Sequence, residues 1–459
     1  MVVAVSLCAL SCASTSPGPA FHDTAQLITS RTGLRVAWNQ GGADDLAIAK
    51  TLRALLAREL TVDGAVQVAL LNNKTLLATY EDISVAQADL VQAGLLQNPV
   101  FGAAIVFPVA GSAQTGGSVS VSQDFLGVFT LAARKRVAAA ELEAAKLRVA
   151  DAVLRTAFDV ETAFFILQSA QQVAAMRRTI LEAGDAALDL ARRQREAGNI
   201  NDLDLANQET LYEQVRTDLV RSDADVVIAR EVLARLMGVW GPDAAYHVAE
   251  KLPELPAAEV SAEHLEAVAI RGRFDLGAAY AEAQAASHAL AMAKNYRFFG
   301  TTSLGGSFER SPEGFSVAGP NASLELPLFD QKQAVIARLE ARMRAALARE
   351  TALAVDIRSE VRSAGGRLLA ARAVVDRYAK VVIPLRQRVV ELSQQQYNAM
   401  LLGAYQLLQV KQNEVNAYRE FIEALRDYWT ARAELERTTG GALSVRANSP
   451  GSESTRVQP

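Results

Sequence analysis

The stretch GGSVSVSQDF, residues 116–125, interrupts a chain whose sequence otherwise has the character of helix. Val119, Val121 and Gln123 alternate with serines, and this period of two is typical of a strand with two different faces. A second stretch, ASLELPLF at residues 322–329, has a similar strand-like pattern. The sequence therefore predicts a mainly α protein with a small β part.

The strand-like stretches form two pairs, at residues 98–129 and 298–329. A loop rich in glycine and serine joins the first pair, and the turn sequence SPEG joins the second. Serines, Asn321 and Glu325 alternate with valine, leucine and phenylalanine, which suits a wall that is polar inside and apolar outside. Small sheets that cap a soluble helical rod are the alternative.

The composition of the 459-residue chain excludes several classes of function. It is 50% hydrophobic and 21% charged, so it can bury a large core. A formal net charge of -4 offers no basic face to nucleic acid. The histidines are scattered without the spacing of metal ligands, at positions 22, 247, 264 and 288. The sequence therefore predicts no metal site, no cofactor and no nucleic-acid partner.

The N-terminus MVVAVSLCALSCASTS is a short apolar run that ends in small residues. It is too short to span a bilayer and has the length of the apolar part of an export signal. ALSC, residues 9–12, is similar to a loose version of a bacterial lipoprotein cleavage box, which would make Cys12 the lipid anchor. We expect residues 1–12 to be a signal of this type. The alternative is that Cys12 is an unmodified, buried cysteine near an irregular N-terminus.

The chain repeats itself at a spacing near 200 residues. LTVDGAVQVALLNN begins at Leu60, and the similar segment VSAEHLEAVAIRGR begins at Val260. A repeat this long indicates duplication of a half-domain rather than a solenoid. The predicted segments are an N-terminal extension at 13–59, a first repeat at 60–240, a linker at 241–260, a second repeat at 261–443 and a disordered tail at 444–459.

Each repeat is predicted to contain a helix, a strand pair, a long helix, a tip turn and a last helix. The first long helix, 131–197, would be roughly 100 Å long at about 1.5 Å per residue. The second runs from 331 to 398, and the tip turns lie at 197–203 and 398–405. The shorter helices are predicted at 62–97, 203–238, 262–297 and 405–440.

The four strands cannot close a barrel by themselves, because the smallest transmembrane barrels need about eight. No later stretch reaches about 18 consecutive apolar residues, so no membrane-spanning helix is predicted. An open sheet edge in lipid leaves unpaired backbone groups. If these strands enter a membrane, several chains must therefore share one barrel.

From about Leu60 to Leu443 the sequence resembles the TolC-type outer membrane efflux proteins. The first repeat carries the resemblance in LTVDGAVQVALLNN, AQADLVQAGLLQNPVF and AGNINDLDLANQETL. The second carries it in LELPLFDQKQAVIARLEAR and QYNAMLLGAYQLLQVKQNEV. The order, duplication and spacing of these strings make the match specific.

The resemblance implies a homotrimer in the bacterial outer membrane, with the helical part in the periplasm. Four strands per chain would make a twelve-stranded transmembrane β-barrel, and the helices of the trimer would make a periplasmic tunnel. It further implies passive conduction of substrate, with a periplasmic adaptor and an inner-membrane pump as partners. The second tip segment is similar to those of members linked with heavy-metal or copper resistance, which favours metal-ion efflux over drugs.

The resemblance also assigns candidate site residues near the tip turns. Adaptor docking is expected at Gly198, Asn199, Ile200, Met400, Leu401, Leu402 and Gly403. The candidate gate residues are Asp202, Asp204, Gln406 and Gln409. Because glutamines stand where the family has acids, an acidic ring would have to come from the first repeat, and Asp204 is the favoured gate. The alternative is that the two aspartates cap the helix that they begin.

Two other classes of function compete with a channel. The first is an enzyme, but the sequence has no Walker loop, no Gly-x-Gly-x-x-Gly, no His-Glu-x-x-His and no nucleophile elbow, so no enzymatic activity is expected. The second is a pore-less periplasmic coiled-coil structural lipoprotein, which remains the alternative to a channel.

Overall fold

The computed structural model describes residues 15–38, 44–107, 109, 115–257, 259 and 264–441. The predicted export signal, with Cys12, and the predicted tail at 444–459 lie outside these residues. The fold class expected from the sequence, mainly α with a small β part, is confirmed.

The first repeat is preceded by two helices in the region expected to be an extension. The elements up to the linker are α1 Gly18–Thr32, α2 Asp44–Leu56, β1 Glu59–Leu60, α3 Val62–Asn72, α4 Lys74–Ala93, β2 Val100–Val106, β3 Gly116–Asp124, α5 Leu126–Glu196 and α6 Asp202–Met237. The linker contains a 3-10 turn, Gly241–Ala244, and β4 His247–Val248, which pairs in parallel with β1.

The second repeat has the same succession of elements as the first. They are α7 Leu265–Gly272, α8 Phe274–Asn295, β5 Thr302–Arg310, β6 Ser316–Leu324, α9 Gln333–Arg377, a π-helical turn Tyr378–Val382, α10 Ile383–Asn398 and α11 Ala404–Thr438. The chain divides into two compact units. Among the described residues, the first comprises 15–24, 80–149 and 274–354, and the second comprises 25–79, 150–273 and 355–441.

In the first unit the strands form one antiparallel sheet in the order β2-β3-β5-β6. Residues paired directly across antiparallel strands point to the same side of the sheet. One cross-strand row holds Ala103, Val119, Phe308 and Ala318, and the next holds Ala104, Ser118, Glu309 and Val317. Continued along the strands, this register gives one apolar face, and an opposite face rich in serine, glycine, Asn321 and Glu309.

The polar face is crowded around Gly305. A Cβ atom built on Gly305 would lie 2.2 Å from the carbonyl oxygen of Val121 and 2.5 Å from Oδ1 of Asn321. The neighbouring Gly306 belongs to the apolar face, where a built Cβ would lie 3.9 Å from the nearest atom. Pairing of β3 with β5 therefore requires glycine at position 305 but not at position 306.

We predict that Gly305→Ala destabilises the sheet by about 1–3 kcal/mol, the cost typical of an overpacked site. Gly306→Ala is the matched control and should leave stability nearly unchanged. The measurement is the thermal unfolding midpoint of the detergent-extracted protein, followed by circular dichroism in the strand region. Equal midpoints for the two variants would contradict this register of β3 and β5.

In the second unit, each helix that opens a repeat is broken where the sequence predicts continuity. The predicted helix 62–97 divides at Asn73, and the predicted helix 262–297 divides at Arg273. Both residues have extended backbone, with ψ of 111° and 130°. Asn73 then starts the next helix, because its Oδ1 accepts hydrogen bonds from the N–H groups of Thr75 and Leu76 at 2.9 and 3.2 Å.

A glycine at the end of the last helix of each repeat packs against this break. Gly238 follows α6 with φ of 69°, and a Cβ there would lie 2.8 Å from the carbonyl oxygen of Asn72. Gly440 follows α11 with φ of 76°, and a Cβ there would lie 3.0 Å from the carbonyl carbon of Gly272. Both the left-handed backbone and the close approach exclude a side chain. The two repeats therefore close in the same way.

The long helix of the second repeat contains a π-helical turn that α5 lacks. The N–H of Ile383 donates to the carbonyl of Tyr378, five residues back. Pro384 follows, and because proline has no N–H the regular helical ladder is interrupted there in any case. Buried residues of α9 recur at three- and four-residue spacing and end at Val375. The extra residue in the turn rotates the following face, so that Val390 rather than Val389 is buried.

Just before this turn, the linker is held on α9 and α11. Arg372 donates to Oε1 of Glu259 at 2.6 Å and to the carbonyl oxygen of Pro256 at 2.9 Å. The hydroxyl of Tyr428 donates to the same oxygen of Glu259. Burial, together with this hydrogen bond, raises the pKa of Tyr428 to about 12. Burial likewise raises the pKa of Tyr246 to about 12, and its hydroxyl donates to the carbonyl oxygen of Arg230 at 2.9 Å.

These two tyrosines predict loss of stability in alkali. A raised folded-state pKa gives stability that is complete below the unfolded pKa of about 10 and is lost as the pH rises towards the folded value. The free energy of unfolding in denaturant, followed by the circular-dichroism signal of helix, should therefore fall between pH 10 and about 12. Replacing both tyrosines with phenylalanine should flatten this slope, and an unchanged slope in the double variant would contradict the assignment.

Candidate functional site

The first tip turn follows α5 and is built around Gly198. The N–H of Gly198 donates to the carbonyl of Arg195 at 3.0 Å, and that of Asn199 donates to Gln194 at 2.8 Å. Gly198 has φ of 79°. This pair of bonds closes the helix end in the Schellman arrangement, in which a left-handed residue satisfies the last carbonyls.

The second tip turn has the same hydrogen bonds with a different residue at its centre. The N–H of Met400 donates to Tyr397 at 2.9 Å, and that of Leu401 donates to Gln396 at 2.9 Å. Met400 adopts φ of 58°, a conformation that a non-glycine residue seldom takes. Gly198 and Met400 are therefore equivalent, and the turns of the two repeats correspond residue by residue.

Each following helix begins with one half of a capping box. In α6 the side chain of Asn201 accepts a hydrogen bond from the N–H of Asp204 at 2.8 Å. In α11 the relation is reversed, because Oε1 of Gln406 accepts from the N–H of Gly403 at 2.8 Å. Asn201 is thus the N-cap of α6, and Asp202 and Asp204 lie in the first turn of this helix, where negative charge is favourable. Asp204 and Gln406 occupy equivalent positions.

Asp202 is engaged by the helix that precedes the turn. Its Oδ1 accepts a hydrogen bond from Nε of Arg195 at 2.6 Å, across the first turn. The hydrogen bond and the charge of Arg195 lower the pKa of Asp202, and the same contact raises the pKa of Arg195. The carboxylate of Asp202 therefore stays ionised and paired with Arg195 of α5. The half-buried Asp204 makes no such ion pair within the described residues.

Apolar side chains are exposed at both turns. Met400 is 93% exposed and Leu401 is 80% exposed. Leu203 and Tyr405, which are equivalent positions in α6 and α11, are also exposed, whereas Ile200 and Leu402 are half-buried. Exposed apolar residues grouped in this way are typical of a surface that binds another protein.

An apolar groove of about 280 Å³ lies between the hairpins, and its nearest residues are within four helical turns of both tip turns. Its walls come from α5, α6 and α11, and include Ile180, Ala187, Leu211, Tyr212, Leu408 and Val415. Because one wall belongs to the second repeat and two to the first, only the packing of the repeats creates this groove. Sequence reasoning found the turns but missed the groove, the Arg195–Asp202 pair and the cap at Asn201.

The remaining candidate residues keep the status of predictions. Gln409 is exposed on α11, and Gln406 is engaged at the start of that helix. The spacing of Asn201 and Asp204 is a recognised helix-start signal and could have identified the cap from sequence. Within the part of the chain that the structure describes, no group of His, Cys, Asp and Glu could hold a metal ion. Within that same part, no helix is long and apolar enough to cross a bilayer.

Substitution of the central residues of the two turns should have opposite effects on the stability of the protein. Met400→Gly should relieve left-handed strain and stabilise the protein by up to about 1 kcal/mol, since glycine's own entropy offsets part of the gain. Gly198→Ala should destabilise it by about 1 kcal/mol. Both residues are exposed, so no packing is lost in either variant. Unfolding in denaturant measures both effects, and a loss of stability in Met400→Gly would contradict the equivalence of the turns.

Comparisons with known proteins bear on the family. A family model described as outer membrane efflux protein matches residues 65–239. No curated protein is significantly similar in sequence. A membrane protein from Pseudomonas aeruginosa is 20% identical, with a TM-score of 0.71 over 83% of this chain and 92% of that chain. The CmeC outer membrane channel of Campylobacter jejuni is 15% identical, with a TM-score of 0.72 over 83% and 86%.

A third similar structure is the outer membrane protein VceC from Vibrio cholerae, 17% identical with a TM-score of 0.68 over 83% of this chain and 96% of that chain. The resemblance predicted from the sequence is confirmed, and the matching family is one of efflux proteins rather than enzymes. Residues 65–239 therefore match the model of the outer membrane efflux protein family, and the chain shares the fold of solved outer membrane channels.

Proposed function

We propose that this protein is the outer membrane exit duct of a tripartite efflux system. Three chains would join their sheets into one twelve-stranded barrel in the outer membrane, and their helices would form a tunnel in the periplasm. The duct would conduct its substrate passively after docking with a periplasmic adaptor and an inner-membrane pump. The family match over residues 65–239 and the fold support this proposal.

The two edges of the four-stranded sheet are the observation that carries the proposal. Among the residues that the structure describes, β2 and β6 each pair on one side only, which leaves a row of unpaired backbone groups on the other. These groups cannot stay unpaired in hydrocarbon. Because β2 and β6 run antiparallel to each other, β6 of one copy can continue the ladder onto β2 of the next. Repetition of this step by rotation closes the sheet and removes every edge.

The two faces and the flanking residues of the sheet agree with a place in a bilayer. Three of its strands have nine residues, close to the about 9–11 of a membrane-spanning strand. The apolar face would meet lipid, and the serine-rich face would line the pore. Exposed aromatic residues lie just beyond the strand ends, as in the girdles of membrane barrels, and include Phe107, Phe125, Phe298, Phe299, Phe315 and Phe329.

The tip turns are the proposed docking site for the adaptor. Met400 and Leu401 present apolar side chains, and the groove between the hairpins begins within four turns of them. A helical hairpin of the adaptor could place apolar residues in this groove, as amphipathic helices do in other grooves. Residues 198–200 and 400–403 therefore keep the docking role expected from the resemblance.

Asp204 is the residue proposed to gate the duct, with Gln406 in the equivalent position of the second repeat. A ring of three carboxylates at a narrow point would favour cations over anions. Asp202 is a weaker candidate because Arg195 already engages it. For the cargo we propose metal ions, on the likeness of the second tip segment alone.

The first test is the mass of the detergent-extracted protein by light scattering, followed by conductance of the purified protein in planar bilayers. We expect the mass of three chains and discrete channels with a cation preference. Asp204→Ala should change conductance and reduce that preference, whereas Glu209→Ala, on the same helix and paired with Arg192, should change neither.

Contrary results would separate the parts of the proposal. A monomer that salt removes from membranes would exclude the duct and favour a pore-less periplasmic coiled-coil lipoprotein. A trimeric channel whose conductance and cation preference are unaffected by Asp204→Ala would exclude only the gate.

A further inference from the structure

Positive charge is in excess where the helices of the first unit meet the four-stranded sheet. The segments at this end of the sheet are 94–99, 124–136, 294–301 and 325–338. Their basic residues are Arg134, Lys135, Arg136, Lys294, Arg297, Lys332 and Arg338, and their acids are Asp124, Glu325 and Asp330. In the sequence at the opposite end, 107–115 and 309–316, the charged residues are Glu309, Arg310 and Glu313. The two ends of the sheet therefore differ in charge.

Two of these cations lie on α5 and reach towards the sheet. Nη2 of Arg134 donates to the carbonyl oxygens of Leu95 and Gly127 at 3.3 and 3.2 Å. Because Gly127 lies two helical turns nearer the sheet, the guanidinium lies close to the level of the strand ends. Cδ of Lys135 lies 3.4 Å from a Cβ built on Gly94. Side chains of a helix tilt towards its N-terminus, and the N-terminus of α5 is the end joined to the sheet.

A second pair of cations lies between α8 and α9. Nζ of Lys332 donates to the carbonyl oxygen of Tyr296 at 3.0 Å. Nη2 of Arg297 donates to Oε1 of Gln331 at 3.2 Å. The hydroxyl of Tyr296 donates to the carbonyl oxygen of Phe129 at 2.9 Å, which joins this pair to the start of α5. The cations from the two places form a basic collar at this end of the sheet: Arg134, Lys135, Arg297 and Lys332.

The collar has no acid partner within the described part of the chain. Arg134, Arg297 and Lys332 donate to neutral oxygen atoms, and no residue of the collar makes an ion pair there. Nε of Arg134 and Nε of Arg297 are buried without a hydrogen-bond partner among the same residues. Lys294 is not part of the collar, because it pairs with Glu340 at 2.7 Å. The positive charge of the collar is therefore left for an anion from outside the chain.

The acids of the same segments are occupied by neutral donors. Oδ1 of Asp124 accepts from the N–H of Leu126 at 3.0 Å. Oε2 of Glu325 accepts from the N–H and the hydroxyl of Thr301 at 2.8 and 2.6 Å. These carboxylates serve to cap the chain where a strand gives way to a helix or loop, and they leave the collar uncompensated.

Exposed aromatic rings lie beside the collar. Phe298 is 61% exposed, and the guanidinium carbon of Arg297 lies 4.5 Å from the centre of its ring. Phe129 is also exposed, and Phe329, three positions before Lys332, is 94% exposed. Aromatic rings are enriched at the surface of a bilayer, and long cationic side chains beside them reach the lipid headgroups. The collar is thus continuous with the aromatic residues that flank the sheet.

We propose that the collar binds the phosphate groups of anionic phospholipids in the leaflet that faces the helices. The two guanidinium groups can each donate two hydrogen bonds to one phosphate, and the two ammonium groups add point charges. Bound phosphates would hold the strand ends at the depth of the headgroups. The inference rests on the proposed function in requiring the sheet to lie in a bilayer, and it names the lipid and the end of the sheet that binds it.

Lipid titration of the purified full chain in a neutral detergent tests the proposal. Short-chain phosphatidylglycerol should raise the midpoint of thermal unfolding, because a ligand of the folded state stabilises it. Phosphatidylcholine of the same chain length should not, and neither should inorganic phosphate at the same concentration. High salt should remove the gain, since it screens the attraction.

Substitutions in the collar test which residues bind the lipid. Lys135→Gln, Arg297→Gln and Lys332→Gln should each lower the apparent affinity for phosphatidylglycerol about fivefold. Lys135 is exposed, so its variant folds even if the half-buried positions tolerate no change. The matched control replaces exposed arginines that make no ion pair within the described residues, and it should leave the affinity unchanged: Arg349→Gln, Arg358→Gln and Arg386→Gln.

The outcomes separate this inference from the duct. If the protein forms trimeric channels but responds equally to both lipids, or loses as much affinity in the control variants, the inference is overturned and the duct stands. A full gain from inorganic phosphate would show a site for free anions and overturn it as well. Collar variants that change the ion preference of the channel but not the response to lipid would place these cations in the pore, with the same consequence. If the wild type is a monomer that does not enter bilayers, the duct and the collar fail together.

Discussion

The contact between a helix break and a glycine at a helix end organises the second unit of this protein. In the first repeat the carbonyl of Asn72 lies where a side chain at Gly238 would have to be, and in the second repeat Gly272 and Gly440 have the same relation. Side-chain amides of Asn72 and Asn73 add hydrogen bonds to the carbonyls of Gly238 and Leu236 at 2.7 and 2.8 Å. Each contact therefore joins the first and last helices of a repeat.

The duplicated framework supports different chemistry in its two copies. The turns share every backbone hydrogen bond, yet one has glycine and the other methionine at the left-handed position. One helix start is capped by its N-cap side chain and the other by a glutamine three residues later. The repeats are therefore equivalent in backbone and distinct in side chains, which allows one tip turn to present a bulky apolar residue and the other an ion pair.

Among the residues that the structure describes, the sheet in the first unit is open at both edges. Its alternating faces follow from a register that glycine at position 305 permits, and within the described part of the chain it has four strands, with β2 and β6 at its edges. The helices of the second unit have a comparable property, because α6 and α9 each bury one side and expose apolar residues on the other. In the proposed oligomer, rotational repetition of one chain would pair the two edges of the sheet.

The sequence by itself determined the elements whose signals are local and periodic. Valine–serine alternation identified the strands, the 200-residue repeat identified the two halves, and long runs of helix formers identified α5 and the α9–α10 helix within a few residues. The tip turns were equally readable, since glycine, asparagine and a shift in composition mark a helix end locally. The same local signals led to single helices at 62–97 and 262–297, because their runs of helix formers outweighed the local capping signal at Asn73.

Only the tertiary structure decided the features that depend on distant residues. At the breaks, groups far along the chain contact the side chains: the carbonyl of Leu236 accepts from Asn73, and the carboxylate of Glu360 pairs with Arg273. The π-helical turn lies between the buried stripe of α9 and the single buried residue of α10, Val390, and no short window contains both. The groove beside the tip needs walls from both repeats, and the pairing of Asp202 with Arg195 needs the turn already folded. Local periodicity encodes elements, whereas contacts between residues far apart in sequence fix where those elements stop and which faces they leave exposed.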